Sequence, residues 1–312
     1  MAKTQDEHQP RFVRQLTLSQ FDTLFPDEEA CRTYLLTRRW PAGPKCPRCQ
    51  NDHVYESTAR PWHWQCMKCG PKPRSPYRFA LTTGTIFEES KKPLIMWFKV
   101  LHLMVTSKKG ISALQIHRML GTGSYQTAWY MCMRLRAGMK DPEFRQLMGI
   151  VEVDETFVGG LNKNRHWKDR QKHQGTGGVA SGKMTVVGAI ARKGNVVCKM
   201  VERTDTDALT GFVREVTKAH ATLVITDEFR AYDAISIYNR KHQFVRHSAG
   251  EYVRGNIHTQ SIESFWSLLK RGVIGTYHHV SKKYLPLYLN EFQFRFNNRK
   301  EADIFGKAIA GC

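Results

Sequence analysis

Residues 260–271 read QSIESFWSLLKR and place Glu263 and Lys270 seven residues apart. Seven residues are two turns of an α-helix, so both side chains project from one face. Ile262, Phe265, Trp266 and Leu269 supply an apolar stripe at helical spacing, which would press this helix onto a core. A Glu and a Lys so spaced are, taken alone, a solvated pair. Two aspartates upstream, each on an apolar strand, change that meaning.

The first lies in GIVEVDETFVGG (149–160), whose alternation puts Val151 and Val153 on one face and Asp154 on the other. The second ends TLVITDEF (222–229), a strand of the fully buried kind that closes on Asp227. A carboxylate buried there without a cation costs several kcal/mol (about 3 or more). Between and after them, KMTVVGAIAR and VVCKMVER form a hairpin around Lys193-Gly194-Asn195. DTDALTGFVREVTKAH (205–220) is an amphipathic helix capped by Asp205 or Thr206, RAYDAISIY a short helix, HQFVRH a short strand and GEYVRGNIHT a loop. The order is β-β-β-α-β-α-β-α, with acids on the first strand, the fourth strand and the helix after the fifth.

These acids suit phosphodiester chemistry. In-line attack at phosphorus builds negative charge on the nucleophile and on the leaving oxygen, and two divalent cations about 4 Å apart stabilise both. Mg2+ prefers hard oxygen ligands and retains waters, so a few carboxylates on rigid elements suffice. Asp154, Asp227 and Glu263 are the candidate catalytic triad, with Lys270 placed to hold a phosphate near the metals. Glu152, Glu155, Glu228 and Glu251 sit close in sequence and could be ligands instead.

The remaining chain reads as a set of binding modules. At 312 residues it exceeds one core, and its formal charge of +20, from 48 Lys and Arg against 28 Asp and Glu, implies a polyanionic partner, with nucleic acid first. No run of about eighteen apolar residues exists, and MAKTQDEHQPRF lacks a signal-peptide core, so a cytoplasmic, nucleoid-associated protein is expected. Cys46-x2-Cys49 and Cys66-x2-Cys69, with sixteen residues between the pairs, have the spacing of a four-thiolate structural zinc site. His53 and His63 could be ligands, but four cysteines already fill the sphere. Cys31, Cys132, Cys198 and Cys312 read as free thiols, the first three core-facing.

Five segments follow: a helical lead-in over 1–40, the zinc ribbon over 41–87, a helix-turn-helix region over 88–148, the catalytic domain over 149–275, and its C-terminal helical extension over 276–312. In the lead-in, Thr17 or Ser19 caps a first helix and Pro26 or Asp27 opens a second, ending in Arg38 and Arg39. In the ribbon, HVYES and HWQC are short strands and RFALTTGTIFE a further strand pair. Trp62, Trp64, Arg60 and Lys68 either contact DNA or, for the tryptophans, form its small core. GISALQIHRMLGT and SYQTAWYMCMRLRAGM are helices joined by a Gly-containing turn, with Ser124 capping the second. Ser124, Tyr125, Gln126 and Thr127 would then meet bases or phosphates. The basic loop with Lys163, Arg165, Lys168, Arg170 and Lys172 reads as a phosphate-contacting arm, and Arg271 as a further DNA contact.

The strand-Asp, strand-Asp, helix-Glu order, with 35 residues between Asp227 and Glu263, resembles the DDE transposases and their RNase H-like fold. The closer resemblance is to the IS1595 (ISXO2-like) insertion-sequence transposases of bacteria. It covers nearly the whole chain: the four cysteines, GISALQIHRMLG…TAWYMCMRLR, VEVDETFVGG, TDEFRAY and IESFWSLLKRGVIGTYHHVSKKYLPLYLNEFQFRFNNR. The resemblance implies an α/β catalytic domain, a mixed sheet with flanking helices, preceded by a zinc ribbon and a helical DNA-binding region. It implies Mg2+ or Mn2+, two per site, at Asp154, Asp227 and Glu263, and one structural Zn2+. The implied activity is binding of terminal inverted repeats, 3′-end cleavage and strand transfer into target DNA, by a homodimer or larger assembly. Gln260 departs from an expected Asn, and members with Asn for the third acid leave His258, Gln260 and Glu251 as supporting candidates. A zinc-ribbon regulator without catalysis and a nuclease of RNase H type are the rival readings.

Overall fold

The computed structural model describes residues 16–70, 75–140, 146–159, 167, 183–238, 241–251 and 253–312. These divide into two compact units. One runs to Lys108 and includes Ala113–Met139 and Asn298–Cys312; the other holds Lys109–Ser112 and Lys140–Asn297.

The first unit opens with helices α1 (Leu18–Leu24) and α2 (Glu28–Arg39). Thr17 caps α1 in a reciprocal box with Gln20, and the Asp27 carboxylate accepts from the Ala30 amide at the start of α2. Strands β1 (Tyr55–Glu56), β2 (His63–Cys66) and β3 (Tyr77–Ala80) pair antiparallel in that order. The strand pair expected over RFALTTGTIFE is only half present. After Ala80 the chain turns repeatedly, with Thr83 bonded back to Ala80, Thr85 to Thr82 and Glu88 to Thr85, and Gly84 at φ +77°. Such i→i+3 bonds consume the amides that a strand partner would need. Trp64 is buried against Trp40 and Phe79 and forms the small ribbon core, whereas Trp62 stays half-buried. Arg39 donates to the carbonyls of Leu81 and Thr83 and pins this turn region.

Helices α3 (Leu94–Thr106), α4 (Ala113–Leu120) and α5 (Tyr125–Gly138) follow. Ser124 caps α5 through the Thr127 amide at 3.1 Å, as its position suggested. The unit's aromatic core gathers Phe21, Phe25, Tyr34 and Phe98 around Phe305 of the last helix, Ile304–Ala310. Among the described residues no helix is long and apolar enough to cross a membrane.

The second unit is a five-stranded mixed sheet. Its strands are β4 (Leu147–Val158), β5 (Met184–Ala191), β6 (Val196–Val201), β7 (Thr217–Thr226) and β8 (Lys241–Phe244), in spatial order β6-β5-β4-β7-β8. The three strands β4 to β6 form an antiparallel meander, and β7 and β8 add parallel to β4. This is the mixed sheet with flanking helices of the RNase H-like expectation. Helix α6 (Thr206–Val216) stops four residues earlier than its sequence pattern suggests. Its apolar stripe ends at Val216, and Thr217 instead pairs with Leu147 to open β7. Residues 230–238 form the expected short helix, of the 3-10 kind.

One sheet face packs Val151, Val153, Val187, Ala189 and Val224 against Leu209, Phe212, Val213 and Val216 of α6. The other receives α7 (Gln260–Gly272), whose Ile262, Phe265, Trp266 and Leu269 are all buried, and α8 (Leu285–Asn297). Gln293 and Asn297 of α8 accept from the Cys198 and Val196 amides at 2.8 Å each, satisfying the open edge of β6. The stretch 276–312 is thus shared between the units, α8 falling in the second and Ile304–Ala310 in the first.

Candidate active site and metal centre

Asp154 sits in mid-strand on the central strand β4, on the α7 face, opposite Gly188 of β5. A Cβ at Gly188 would lie 2.5 Å from the Trp266 ring, so the glycine leaves room for the indole. The Trp266 Nε1–H then donates to Asp154 Oδ2 at 3.0 Å. Burial pushes the Asp154 carboxyl up to about 7, and the charges of Glu155 and Asp227 push in the same direction. Asp227 follows the last residue of β7, where its Oδ1 accepts from the Phe229 amide at 3.0 Å. Glu155 accepts from the buried Tyr232 hydroxyl at 2.6 Å, and its carboxyl is also raised, first by burial and then by Asp227.

Glu263 projects from the first turn of α7 and accepts from the Thr259 hydroxyl at 2.7 Å. A cavity of about 640 Å³ brings Asp154, Glu155, Glu263, Trp266, Lys270 and Arg271 together, with Lys109 on the same wall. Asp227 does not line this cavity, although its charge acts on Asp154. Lys109 escaped the sequence reading because it lies 45 residues before Asp154, in a segment that read as part of the helical region.

The other acids near the triad have separate partners. Glu152 is fully buried and accepts from Arg192 Nε at 2.7 Å, from the Ser261 amide at 2.7 Å and hydroxyl at 3.0 Å, and from the Ile262 amide at 3.1 Å. His258 Nδ1 lies 3.4 Å from the same carboxylate. Glu228 takes the amide and hydroxyl of Ser248, and Glu251 pairs with Arg254. Gln260 is exposed at the start of α7.

The donor set fits divalent cations. Asp154 and Glu263 line the same cavity, and repulsion from Glu155 and Asp227 adds to burial, the larger cause, in raising the Asp154 carboxyl. A bound cation would remove that repulsion and displace the proton.

In the first unit, the Cys46, Cys49, Cys66 and Cys69 thiols all lie within 4.8 Å of one another. Sulfur separations of 3.3 Å (Cys46–Cys69) and 3.7 Å (Cys49–Cys66) approach the roughly 3.8 Å edge of a tetrahedron with Zn–S bonds of about 2.3 Å. None of the four is in a disulfide. The cluster therefore suits a structural zinc. Cys31, Cys132 and Cys198 are buried in their cores, as expected.

Of the expected DNA contacts, Tyr125 and Gln126 are exposed on the first turn of α5, and Ser124 spends its hydroxyl on the cap. Arg271 is exposed on the rim of the cavity. Lys163, Arg165, Lys168, Arg170 and Lys172 lie outside the described residues.

A family model described as the ISXO2-like transposase domain matches residues 146–297, which span the whole sheet, α7 and α8. A second, the transposase zinc-ribbon domain, matches residues 26–72. The chain is similar to a protein in transposable element ISH50 of Halobacterium salinarum, with 28% identity over 282 residues, 87% of this chain and 91% of that protein. It is also similar to a transposase-like protein of Haemophilus influenzae, 29% identical over 106 residues, 34% of this chain and 84% of that protein.

Proposed function

This chain belongs to the IS1595 (ISXO2-like) insertion-sequence transposases, and from that premise we propose that it binds the terminal inverted repeats of its element, cleaves their 3′ ends and joins them to target DNA. The single observation that carries the reading is the Asp154–Glu263–Lys270 cavity, in which acids and cations line one wall-to-wall space of nucleotide size. Asp154, Asp227 and Glu263 would hold two Mg2+ or Mn2+ ions. Such ions, when bound, activate a water or a 3′-hydroxyl and neutralise charge on the attacking and leaving oxygens.

The chain's own residues do the rest. Asp154 is held in one orientation by Trp266, on a strand hydrogen-bonded on both sides. Lys270, Arg271 and Lys109 surround the acids with positive charge suited to DNA phosphates. The zinc ribbon and the α4–α5 hairpin supply end recognition, with Tyr125 and Gln126 toward DNA, and the arm from Lys163 to Lys172 adds phosphate contacts. The active species is a dimer or larger, because two ends must be joined in one event, and it works among the DNA of the host cytoplasm.

The test is incubation of the purified protein and Mg2+ or Mn2+ with labelled DNA bearing the inverted repeats that flank its own gene, together with a target plasmid. Cleavage at the repeat tips and transfer of label to the plasmid are expected. Asp154→Asn, Asp227→Asn and Glu263→Gln should each lower cleavage by ~10³-fold or more, about 4 kcal/mol of barrier, with end binding retained. A variant that cuts normally removes its residue from the site. End binding without cutting in either metal would favour a regulator, and cleavage confined to RNA–DNA hybrids would favour a nuclease.

A further inference from the structure

Glu152 is a buried acid near the site with several hydrogen-bond donors, and it does not line the cavity. It lies on β4 two residues from Asp154, on the same sheet face, and is 0% exposed. Its two oxygens receive four donors. Oε2 takes the Ser261 and Ile262 amides, and Oε1 takes the Ser261 hydroxyl and Arg192 Nε. The two amides belong to the first turn of α7, whose N-cap residue Thr259 makes no capping bond of its own. Thr259 instead gives its hydroxyl to Glu263. The start of the helix is therefore capped from the sheet, by a residue of the strand that carries Asp154. Arg192 also donates to the His258 carbonyl at 3.1 Å and ties the incoming loop to the same point.

The consequence is geometric. Glu263 lies in the same first turn as the capped amides, two residues after Ser261 and one after Ile262, and Asp154 lies two residues from the capping acid. We propose that Glu152 is a positioning residue that sets the separation of Asp154 and Glu263, and through it the affinity of the site for divalent cations. The inference rests on the reading of Asp154 and Glu263 as the metal-holding acids. Loss of an outer partner that orients metal ligands typically lowers affinity by ~10–100-fold.

The experiment uses the full chain, with Mn2+ alone as probe in calorimetry and with labelled end DNA in kinetics. Glu152→Gln keeps the size of the side chain and one accepting oxygen but gives up the charge that faces Arg192. The expected result is a rise of ~10-fold or more in the Mn2+ midpoint, a lower kcat, and an unchanged KM for end DNA. A role confined to stability would lower the melting temperature and the active fraction but leave the Mn2+ midpoint of the folded protein where it was, and that outcome overturns the proposal. If Glu152→Gln does not fold, Ser261→Ala serves, since it deletes one hydroxyl donor and keeps both amides. A midpoint shift of ~3-fold is expected there, and no shift overturns the proposal. Unaltered Mn2+ binding and cleavage in Asp154→Asn and Glu263→Gln would instead overturn the reading of the site itself, and the positioning role with it.

Discussion

The indole N–H of Trp266 donates to Asp154 across the interface of helix and central strand, at 3.0 Å. The bond links the buried stripe of α7 to the acid that the strand delivers, so packing and chemistry share one side chain. It also opposes the burial and like charges that raise the Asp154 carboxyl. Trp266→Phe keeps most of the packing and removes the donor. Burying one oxygen without its partner costs ~1–3 kcal/mol, and the variant should need several-fold more Mn2+ for half-maximal cleavage. An unchanged metal requirement would show that the indole is only a packing group.

Gly188 gives an independent test of the same contact. An added methyl would meet Trp266 Cη2 at 2.5 Å and Cζ2 at 2.7 Å, and Ile262 beyond. Gly188→Ala should therefore destabilise the unit by ~1–3 kcal/mol, as overpacking does, and lower cleavage more than end binding. Urea unfolding with a parallel cleavage assay would measure both. A variant as stable and as active as the parent would mean that the indole moves freely.

Asp154 also sets a pH dependence. Its carboxyl is raised from 3.8 to about 7 in the folded protein, so between those values the folded state binds more protons than the unfolded one. Metal-free stability should then fall as pH rises through this window, by at most about 1.4 kcal/mol per pH unit from this group. The penalty is absent below the lower value and complete above the upper one. Cation binding must displace the same proton, so Mn2+ affinity should rise as pH approaches 7 and level off above it. Calorimetry in buffers of different ionisation heat would count the proton. Affinity independent of pH from about 5 to about 8 would contradict a protonated Asp154.

Much of this arrangement was legible because its signals are local. Alternation in VEVDE separates Val151 and Val153 from Asp154, and the α7 stripe declares which side of the helix is buried. The paired CxxC motifs announce themselves by spacing alone. The division of labour among Glu152, Asp154 and Glu155 was not legible. Glu152 and Asp154 share a face under strand periodicity, and what separates them is whether the partner above is a helix terminus or an indole. Both partners arrive from more than a hundred residues away. The end of α6 was misjudged for a related reason: Thr217 continues a helical pattern locally but is claimed by pairing with Leu147.

Zinc removal should act on the ribbon. Its three short strands and the Trp40–Trp64–Phe79 cluster bury little, and a module of that size depends on metal for folding. A strong chelator, or Cys66→Ser, should unfold the 41–87 segment and weaken end binding while the mixed sheet keeps its melting transition. Proteolysis confined to that segment, followed by calorimetry, would show the split. An end-DNA footprint unchanged after verified zinc loss would mean the ribbon is not a DNA reader.

Helix α3, in the first unit, is capped by the same device as α7. Pro93 stands at its N-cap and offers no side-chain bond, while the Leu94 and Ile95 amides donate to Glu28 of α2 at 3.0 and 3.1 Å. Arg32 lies 3.5 Å from the same carboxylate, one turn along α2. Glu28→Ala should therefore cost ~1–2 kcal/mol, the usual range for a lost cap, and lower the first unit's melting temperature by a few degrees (~2–4 °C). Glu28→Gln, with one accepting oxygen left, should lose less. Neither change should move the Mn2+ midpoint of cleavage, because no residue of the acid cluster is bonded through Glu28. A capping acid that shifts stability alone, beside Glu152, which should shift the midpoint, would separate the structural use of this device from its positioning use. A matching midpoint shift in Glu28→Ala would mean that the metal titration reports general loosening, and the case for Glu152 would weaken with it.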